Sequence, residues 1–199
     1  HLFSEAGRLA FADRGLYVAD SDFVNVNVAA LLDPAYLKQR AQLIGDRSMG
    51  TAKPGVPPGT QAAAAEDASV HKAATSHISV VDGFGNALSM TTTIEDIFGS
   101  RMMVRGFLLN NQLTDFSFAP TADGLPIANR VQAGKRPRSS MAPALVFDRA
   151  SGQLVGTVGS PGGSQIIGYV TKTLVGVLDW NLDIQQAVSL PNFGSRNGP

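Results

Sequence analysis

Apolar positions recur at helical spacing at both ends of this chain and alternate in its middle. Between residues 1 and 14, Leu2, Phe3, Ala6, Leu9 and Ala10 share one helical face, and Gly15 suits the position just past a helix end. A second helix is signalled at Asp33-Pro34-Ala35-Tyr36-Leu37. There Asp33 can cap, Pro34 takes the first helical position and Gly45 can end the run. From residue 75 the pattern changes to a strand over 75–82. Ile78, Val80 and the branched Thr75 alternate with polar Ser76, His77 and Ser79 over most of its length. Gly83-Phe84-Gly85-Asn86 has hairpin chemistry, and Ala87 to Thr93 returns as a second strand. Val104 to Leu109 reads as one short strand, residues 117–138 as irregular, and Ala144 to Phe147 with Leu154 to Val158 as a strand pair. Ile166, Ile167, Val170, Leu174, Val177 and Leu178 keep the spacing of a strongly apolar helix, and Asp183 can cap a last short one before Pro191. Helices, then hairpins, then helices favour an α+β arrangement over a doubly wound sheet.

Composition changes abruptly between Thr51 and Ala74. Pro54, Gly55, Pro57, Pro58 and Gly59 lead into Gln61 and four alanines, with few apolar anchors. This tract reads as an exposed, mobile connection, and a plain linker between two subdomains fits it equally well. It ends where the 75–82 strand begins. A cut between Ala74 and Thr75 would give Thr75 a free α-amino group beside its own hydroxyl. A mid-chain threonine has no base of its own, whereas an N-terminal one carries an amine of pKa roughly 7.7–8.0.

The totals narrow the function classes. The 199 residues are 44% apolar, with 16 basic and 16 acidic side chains and net charge zero, so neither nucleic acid nor an anionic membrane is indicated as the main partner. Zero cysteines exclude disulfides, thiolate metal sites and a cysteine nucleophile. No run of 18 apolar residues offers a membrane span. Three scattered histidines make neither a metal site nor a triad. His77 and Ser76 are strand neighbours that point to opposite faces, His71 lies in the tract before the strand, and His1 begins the chain. The chain starts at His1 inside a helical pattern and reads as a piece of a longer protein, whose upstream part would hold any signal region.

Gly162-Gly163, between a strand and a helix start, offers outward backbone N–H groups at the positive end of a helix dipole. Such groups can hold a developing oxyanion. A Gly-Gly pair there is also an ordinary tight turn, and neither a dinucleotide nor a P-loop fingerprint is present. Ser139-Ser140, Glu95 and Asp115 read by themselves as surface or capping groups.

In combination these pieces resemble a known family. Thr75-Ser76-His77, Ser79-Val80-Val81-Asp82 and Gly85-Asn86 look like the start of the small subunit of γ-glutamyltranspeptidases. The resemblance continues through Phe98-Gly99, Leu108-Leu109-Asn110-Asn111-Gln112, Asp115-Phe116, Lys135-Arg136-Pro137, Ser139-Ser140-Met141 and Gly159-Ser160-Pro161-Gly162-Gly163-Ser164. Upstream, Glu5, Leu9-Ala10, Ala12-Asp13-Arg14 and Asp20 to Val24 look like the end of the large subunit.

That resemblance implies an N-terminal-nucleophile hydrolase with a four-layer αββα sandwich, partial in this chain. Residues 1–50 would end the large subunit, 51–74 would link to the cleavage site, and 75–199 would form most of the small subunit. It implies self-cleavage between Ala74 and Thr75. Thr75 would then act as nucleophile on the γ-carbonyl of glutathione or a related γ-glutamyl donor, passing the acyl group to water, an amino acid or a peptide. Thr93 matches the threonine close to the nucleophile's hydroxyl, and Gly162 and Gly163 match the oxyanion hole. Ser139 and Ser140 match the pair on the donor α-carboxylate. Asp115 matches the carboxylate on its α-amino group, with Glu95 and neutral Gln112 beside it in role. The arginine that grips the donor carboxylate belongs to the upstream large-subunit segment. No cofactor or metal is implied, and a periplasmic or secreted location is.

Two departures stand out. Many members have Asn where this chain has Glu95, and Thr91-Thr92-Thr93-Ile94-Glu95 looks more like the branch that processes poly-γ-glutamate. The 117–138 stretch lacks the tyrosine that closes the site in lid-bearing relatives and looks shorter, which implies a more open site. Cephalosporin (glutaryl) acylases share the scaffold and form an alternative. A non-enzymatic relative is disfavoured, because every recognisable catalytic position within the chain is filled.

Overall fold

A computed structural model of the chain describes residues 1–60, 64–67, 69 and 74–198. In order, the elements are helices α1 (Leu2–Tyr17), α2 (Val28–Leu31) and α3 (Pro34–Ala41), then strands β1 (Ser76–Val81), β2 (Ala87–Thr92), β3 (Met103–Val104), β4 (Phe107–Leu108), β5 (Thr121–Ala122), β6 (Leu125–Pro126), β7 (Ala144–Phe147) and β8 (Leu154–Val158), and finally helices α4 (Ile166–Leu178) and α5 (Ile184–Ser189). Among the described residues the strands pair as antiparallel hairpins: β1–β2, β3–β4, β5–β6 and β7–β8. The order is that of an α+β chain. It divides into two compact units, residues 1–70, 113–138 and 194–199 in the first and 71–112 and 139–193 in the second.

In the first unit α1 buries Glu5, Leu9, Ala12 and Leu16, while Leu2 is exposed. The buried stripe is therefore rotated from the expected one. The helix also runs through Gly15 to Tyr17 and ends at Val18 in extended conformation, rather than stopping at the glycine. The rotation has a polar cause. Glu5 accepts hydrogen bonds from Met49 N (2.8 Å), Ser48 Oγ (3.1 Å) and Arg8 Nε (3.0 Å), and the Met49 N–H above all holds its carboxyl below the usual range. Asp13 ties α1 to α3 by accepting from Tyr36 Oη (2.7 Å) and Arg40 (3.0 Å). As expected, Asp33 caps α3 with Pro34 at its first position. That helix ends at Gln42, ahead of Gly45.

The beginning of the Pro/Gly tract is packed, contrary to the exposed path expected for it. Ala52 and Pro57 are buried, Gly55 N donates to Asp13 (2.7 Å), and Gly55 O accepts from Tyr17 Oη (2.7 Å). A Cβ at Gly55 would overlap the Tyr36 hydroxyl, so glycine is required where this chain crosses α3. Gln61, Ala62, Ala63 and His71 lie outside the described residues.

Residues 117–138 are also more ordered than their sequence suggests. They form the β5–β6 hairpin around Asp123-Gly124, both at positive φ, and then bury Ile127, Ala128 and Asn129. The amide of Asn129 donates to Asp115 O (2.8 Å) and Asp67 (3.3 Å), and its oxygen accepts Arg138 N (2.9 Å). Arg138 pairs with Asp67 at 3.0 Å, the two side chains being 4% and 0% exposed. Burial alone would raise the Asp67 carboxyl. The hydrogen bonds from Ser69, the Arg138 charge and Asn129 together hold it below its usual value. Arg136 likewise holds Asp20 low through paired hydrogen bonds (2.6 and 3.1 Å).

In the second unit β1 and β2 pair in unbroken register, from Ser76 opposite Thr92 to Val81 opposite Ala87. Asp82 closes the turn by accepting from Phe84 N, Asn86 N and Asn86 Nδ2 (2.7–2.9 Å). The expected single strand at 104–109 is instead the small β3–β4 hairpin, turned by Arg105 and Gly106 at positive φ. The β7–β8 hairpin carries a bulge between Val146 and Phe147. Helix α4 packs against β8 and α5. Its buried positions are Ile166, Val170, Lys172, Thr173 and Gly176, whereas Leu178 is exposed. Lys172 lies inward because Nζ caps the end of α5, donating to Leu190 O (2.9 Å) and Val188 O (3.3 Å). Asp183 starts α5 with a complete capping box to Gln186.

The Asp67–Arg138 pair gives a stability test. Asp67→Ala strands a buried guanidinium, and should cost about 3–5 kcal/mol in urea unfolding. An unchanged midpoint would refute the pairing. Because the folded Asp67 and Asp20 carboxyls titrate lower than the unfolded ones near about 3.9, their contribution is present above about pH 4. It should fade as pH drops through the folded values, and Asp67→Asn should flatten that acid limb.

Candidate active site

The β1–β2 register determines which side chains meet. His77 faces Thr91 and Ser79 faces Ser89, so one step beyond the ladder Thr75 falls opposite Thr93. Thr75, His77 and Ser79 alternate onto one face of β1, and Thr93, Thr91 and Ser89 continue that face on β2. The β7–β8 hairpin lies over it. Thr157 Oγ1 donates to Ser79 Oγ (2.8 Å), and Ser89 Oγ donates to Val158 O (3.1 Å). The opposite face carries the apolar Ile78, Val80, Leu88 and Met90, each 40–48% exposed. The hairpin thus turns its polar side toward β7–β8 and leaves its apolar side partly open.

Thr75 and Ala74 are half-buried. The Thr93 hydroxyl donates to the carbonyl oxygen of Ala74 at 2.5 Å and accepts from Glu95 N at 2.9 Å. A hydroxyl fixed by a backbone N–H on one side has its proton directed to the other. The acceptor is the carbonyl preceding Thr75.

Glu95 is buried and sits at φ 78°, a left-handed conformation that non-glycine residues seldom adopt. Its turn is braced by Asn111, which accepts Asp96 N at Oδ1 (2.9 Å) and donates its own N–H to Ile94 O (3.2 Å). Gln112 follows directly and opens a 3₁₀ turn over Gln112–Asp115, with its N–H on Asn110 Oδ1 (2.9 Å). The turn carrying Glu95 and the segment carrying Gln112 are therefore held side by side. Asp115 ends the same 3₁₀ turn, is half-buried, and belongs to the first unit.

Ser139 and Ser140 precede β7. Ser139 is exposed and accepts Met141 N at Oγ (3.1 Å), and Ser140 is half-buried. Gly162 and Gly163 follow β8, both at positive φ (136° and 56°), and Gly163 opens the 3₁₀ turn over Gly163–Gln165 that leads into α4. A Cβ at Gly162 would come within 2.7 Å of the Tyr169 ring. Glycine is thus required there by both conformation and space.

The structure gathers Ala74, Thr75, Thr93, Glu95 and Gln112 through the β1–β2 register and the Asn111 brace. Sequence reading passed over two residues. Asn111 gave no separate signal within its Asn-Asn-Gln run. His77 is no triad member, but its place two residues after Thr75 puts it on the same strand face as Thr75. Among the described residues no group of three or more His, Asp or Glu side chains is placed to hold a metal ion, and no helix is long and apolar enough to cross a membrane.

The family model of gamma-glutamyltranspeptidase matches residues 1–199. The chain belongs to the gamma-glutamyltranspeptidase family. It is 40% identical over 201 residues to the glutathione hydrolase proenzyme of Bacillus subtilis, covering 96% of this chain and 33% of that protein. It is 32% identical over 200 residues to the acylase ACY 1 proenzyme of a Pseudomonas species, covering 100% and 33%. Among solved structures, a mutant gamma-glutamyltranspeptidase of Helicobacter pylori superposes with TM-score 0.52 at 44% identity, over 59% of this chain and 66% of that one. The chain spans about a third of the length of these curated relatives.

The turn after β8 yields a direct check. Gly162→Ala forces a side chain into a left-handed conformation and against Tyr169, so unfolding should be easier by about 1–3 kcal/mol. A urea midpoint equal to that of the parent would count against this geometry.

Proposed function

We propose that this chain is the cleavage-site region of a γ-glutamyltransferase/hydrolase that matures by cutting itself between Ala74 and Thr75. The observation that carries the reading is the hydrogen bond from the Thr93 hydroxyl to the Ala74 carbonyl oxygen. In self-cleavage Thr75 Oγ adds to the Ala74 carbonyl carbon, and the oxygen that gains charge is the one Thr93 already contacts. The carbon–nitrogen bond then breaks, the Thr75 nitrogen takes up a proton, and an ester links Ala74 to Thr75 Oγ. Water hydrolyses that ester, leaving a carboxylate on Ala74 and a free amine on Thr75.

The mature reaction reuses the hydroxyl. The Thr75 amine takes the Oγ proton as Oγ attacks the γ-carbonyl of glutathione or a similar donor, and the amine then protonates the leaving nitrogen. Gly162 and Gly163 N–H groups stabilise the oxyanion. Ser139 and Ser140 hold the donor α-carboxylate, while Glu95, Gln112 and Asp115 hold its α-ammonium. Water, an amino acid or a peptide releases the acyl group. The proenzyme names of the relatives support a precursor, and the stacking of the β1–β2 and β7–β8 hairpins with α4 outside β8 supports an αββα sandwich. We assign residues 1–50 to the end of the large subunit, 51–74 to the segment before the cut and 75–199 to the small subunit, in a periplasmic or secreted enzyme. The bonds between Asp67 and Arg138, Asp20 and Arg136, and Ala52 and Asn197 would keep both products together after cleavage.

The acylase ACY 1 relative favours a second reading, removal of a glutaryl side chain from a cephalosporin. Turnover of γ-glutamyl-p-nitroanilide against a glutaryl cephalosporin by the complete precursor's mature form separates the two. The ammonium-binding carboxylates favour the glutamyl donor, and a preference for the glutaryl substrate would reverse the assignment.

Intact mass tests self-cleavage. The complete precursor should yield a fragment beginning at Thr75, and Thr75→Ala should yield none. Thr93→Val should slow the cut by about 10²–10³-fold, the loss expected for one oxyanion donor. A cut elsewhere, or an active enzyme left uncut, would refute the mechanism.

A further inference from the structure

His77 has no part in the chemistry proposed above, yet it lies on the face that carries Thr75. Its Nδ1 is 2.9 Å from Thr91 Oγ1 and its Nε2 is 3.0 Å from Ser79 Oγ. A neutral imidazole donates from one nitrogen and accepts at the other, and each hydroxyl can take either part, so both ring positions are satisfied. The ring is held in one orientation from both ends. Ser79 Oγ is itself the acceptor for Thr157 Oγ1, which joins the row to β8.

The flat of this fixed ring meets Gly159, the first residue after β8. A Cβ built on Gly159 would overlap Cε1, Nδ1 and Nε2 together. Gly159 is not at positive φ, so nothing in its backbone conformation calls for glycine. The ring does, because only a residue without a side chain can lie flat against it. Three residues further on come Gly162 and Gly163. The Ser89 Oγ bond to Val158 O, on the residue just before Gly159, fixes the same strand end.

We infer that His77 is a positioning residue for the Gly162-Gly163 turn, setting its height over the nucleophile's strand through ring contact with Gly159. One strand then carries the nucleophile at Thr75 and, two residues on, the gauge that places the oxyanion donors. The inference rests on the function proposed above, since it assigns the turn to oxyanion binding. An error of about 1 Å in such donors can cost of order 10²-fold in rate. The loss falls on the transition state, because the donors are aimed at charge that develops only there.

The test compares mature enzymes from the complete precursor on γ-glutamyl-p-nitroanilide. His77→Ala should lower kcat by roughly 10–100-fold while KM stays within about threefold. Gly159→Ala, which pushes the same contact from the other side, should lower kcat similarly. In the His77→Ala background Gly159→Ala should add almost nothing, because its Cβ then enters the space the ring left. Should His77→Ala fail to mature, Gly159→Ala with and without His77→Gly reads the same coupling. Unchanged kcat in both single variants, additive losses in the pair, or a rise in KM with kcat retained would each overturn the inference. A parent enzyme inactive on γ-glutamyl donors overturns the function reading and this one with it. An active parent with fully active variants overturns this one alone.

Discussion

The pairing register of β1 with β2 is the constraint on which the proposed chemistry depends. Strand side chains alternate, so a slip of one residue would send Thr75, His77 and Ser79 to the far face and bring Ser76, Ile78 and Val80 in their place. The apolar row of Ile78, Val80, Leu88 and Met90 is 40–48% exposed and secures this register only in part. The rest of that security lies in the turn and in the inward polar row. Asp82 gathers three donors at the turn and fixes where the return strand begins. At the other end the Thr93 hydroxyl, opposite Thr75, bonds Ala74 O and Glu95 N.

A polar inward face succeeds only if its groups are paired. A buried hydroxyl without a partner costs about 1–3 kcal/mol, whereas a paired one is close to neutral or mildly favourable. Here Thr91, His77, Ser79 and Thr157 bond in sequence, half-buried except for the exposed Ser79, and Ser89 reaches the Val158 carbonyl, so the penalty avoided is a fraction of the buried one. The interface between the two hairpins is therefore directional. Apolar packing would tolerate sliding, but this row holds β8, and so the glycine turn beyond it, at one setting relative to Thr75. The strained backbone at Glu95 belongs to the same economy, since the Thr93 hydroxyl and the Asn111 brace hold in place a conformation of little intrinsic stability.

Much of this was legible in the sequence wherever a local rule decides structure. Asp33 and Asp183 as caps, Pro34 at a first helical position, the Gly83–Asn86 turn and the run of α4 follow from chemistry within a few residues. The misreadings fall where a distant group wins. α1 rotates to bury Glu5 because Ser48 and Met49 supply donors from over 40 residues away. Lys172 turns inward because α5 ends beside it. Residues 127–129 look like loop but are buried, since Asn129 mediates between Asp67 and Arg138. Of the proposed site, motif order nominates Thr75, Thr93 and the glycine pair. What each touches could not be read from it, because hydrogen bonds such as Thr93 to Ala74 depend on register and on a turn conformation that composition does not encode.

The compact units do not follow the order of the chain, and this bears on what the proposed cut would leave joined. Residues 113–138 and 194–198, beyond Thr75, fold in one unit with residues 1–60. The Asp67–Arg138 pair joins the two sides of the proposed cut in a site with almost no solvent access, and the exposed Arg136 also reaches across to the buried Asp20 carboxylate. Breaking one peptide bond between such segments removes a covalent tether, but not the buried contacts. Freed ends gain conformational entropy, yet separating the pieces would strand a desolvated guanidinium and carboxylate, each costing several kcal/mol. The proposed maturation, which would free the Thr75 amine without losing the segment before it, needs this asymmetry. The bond proposed to break is held by a few hydrogen bonds at a half-buried strand end, while the segment upstream of it is anchored at Asp67 by a buried charge pair.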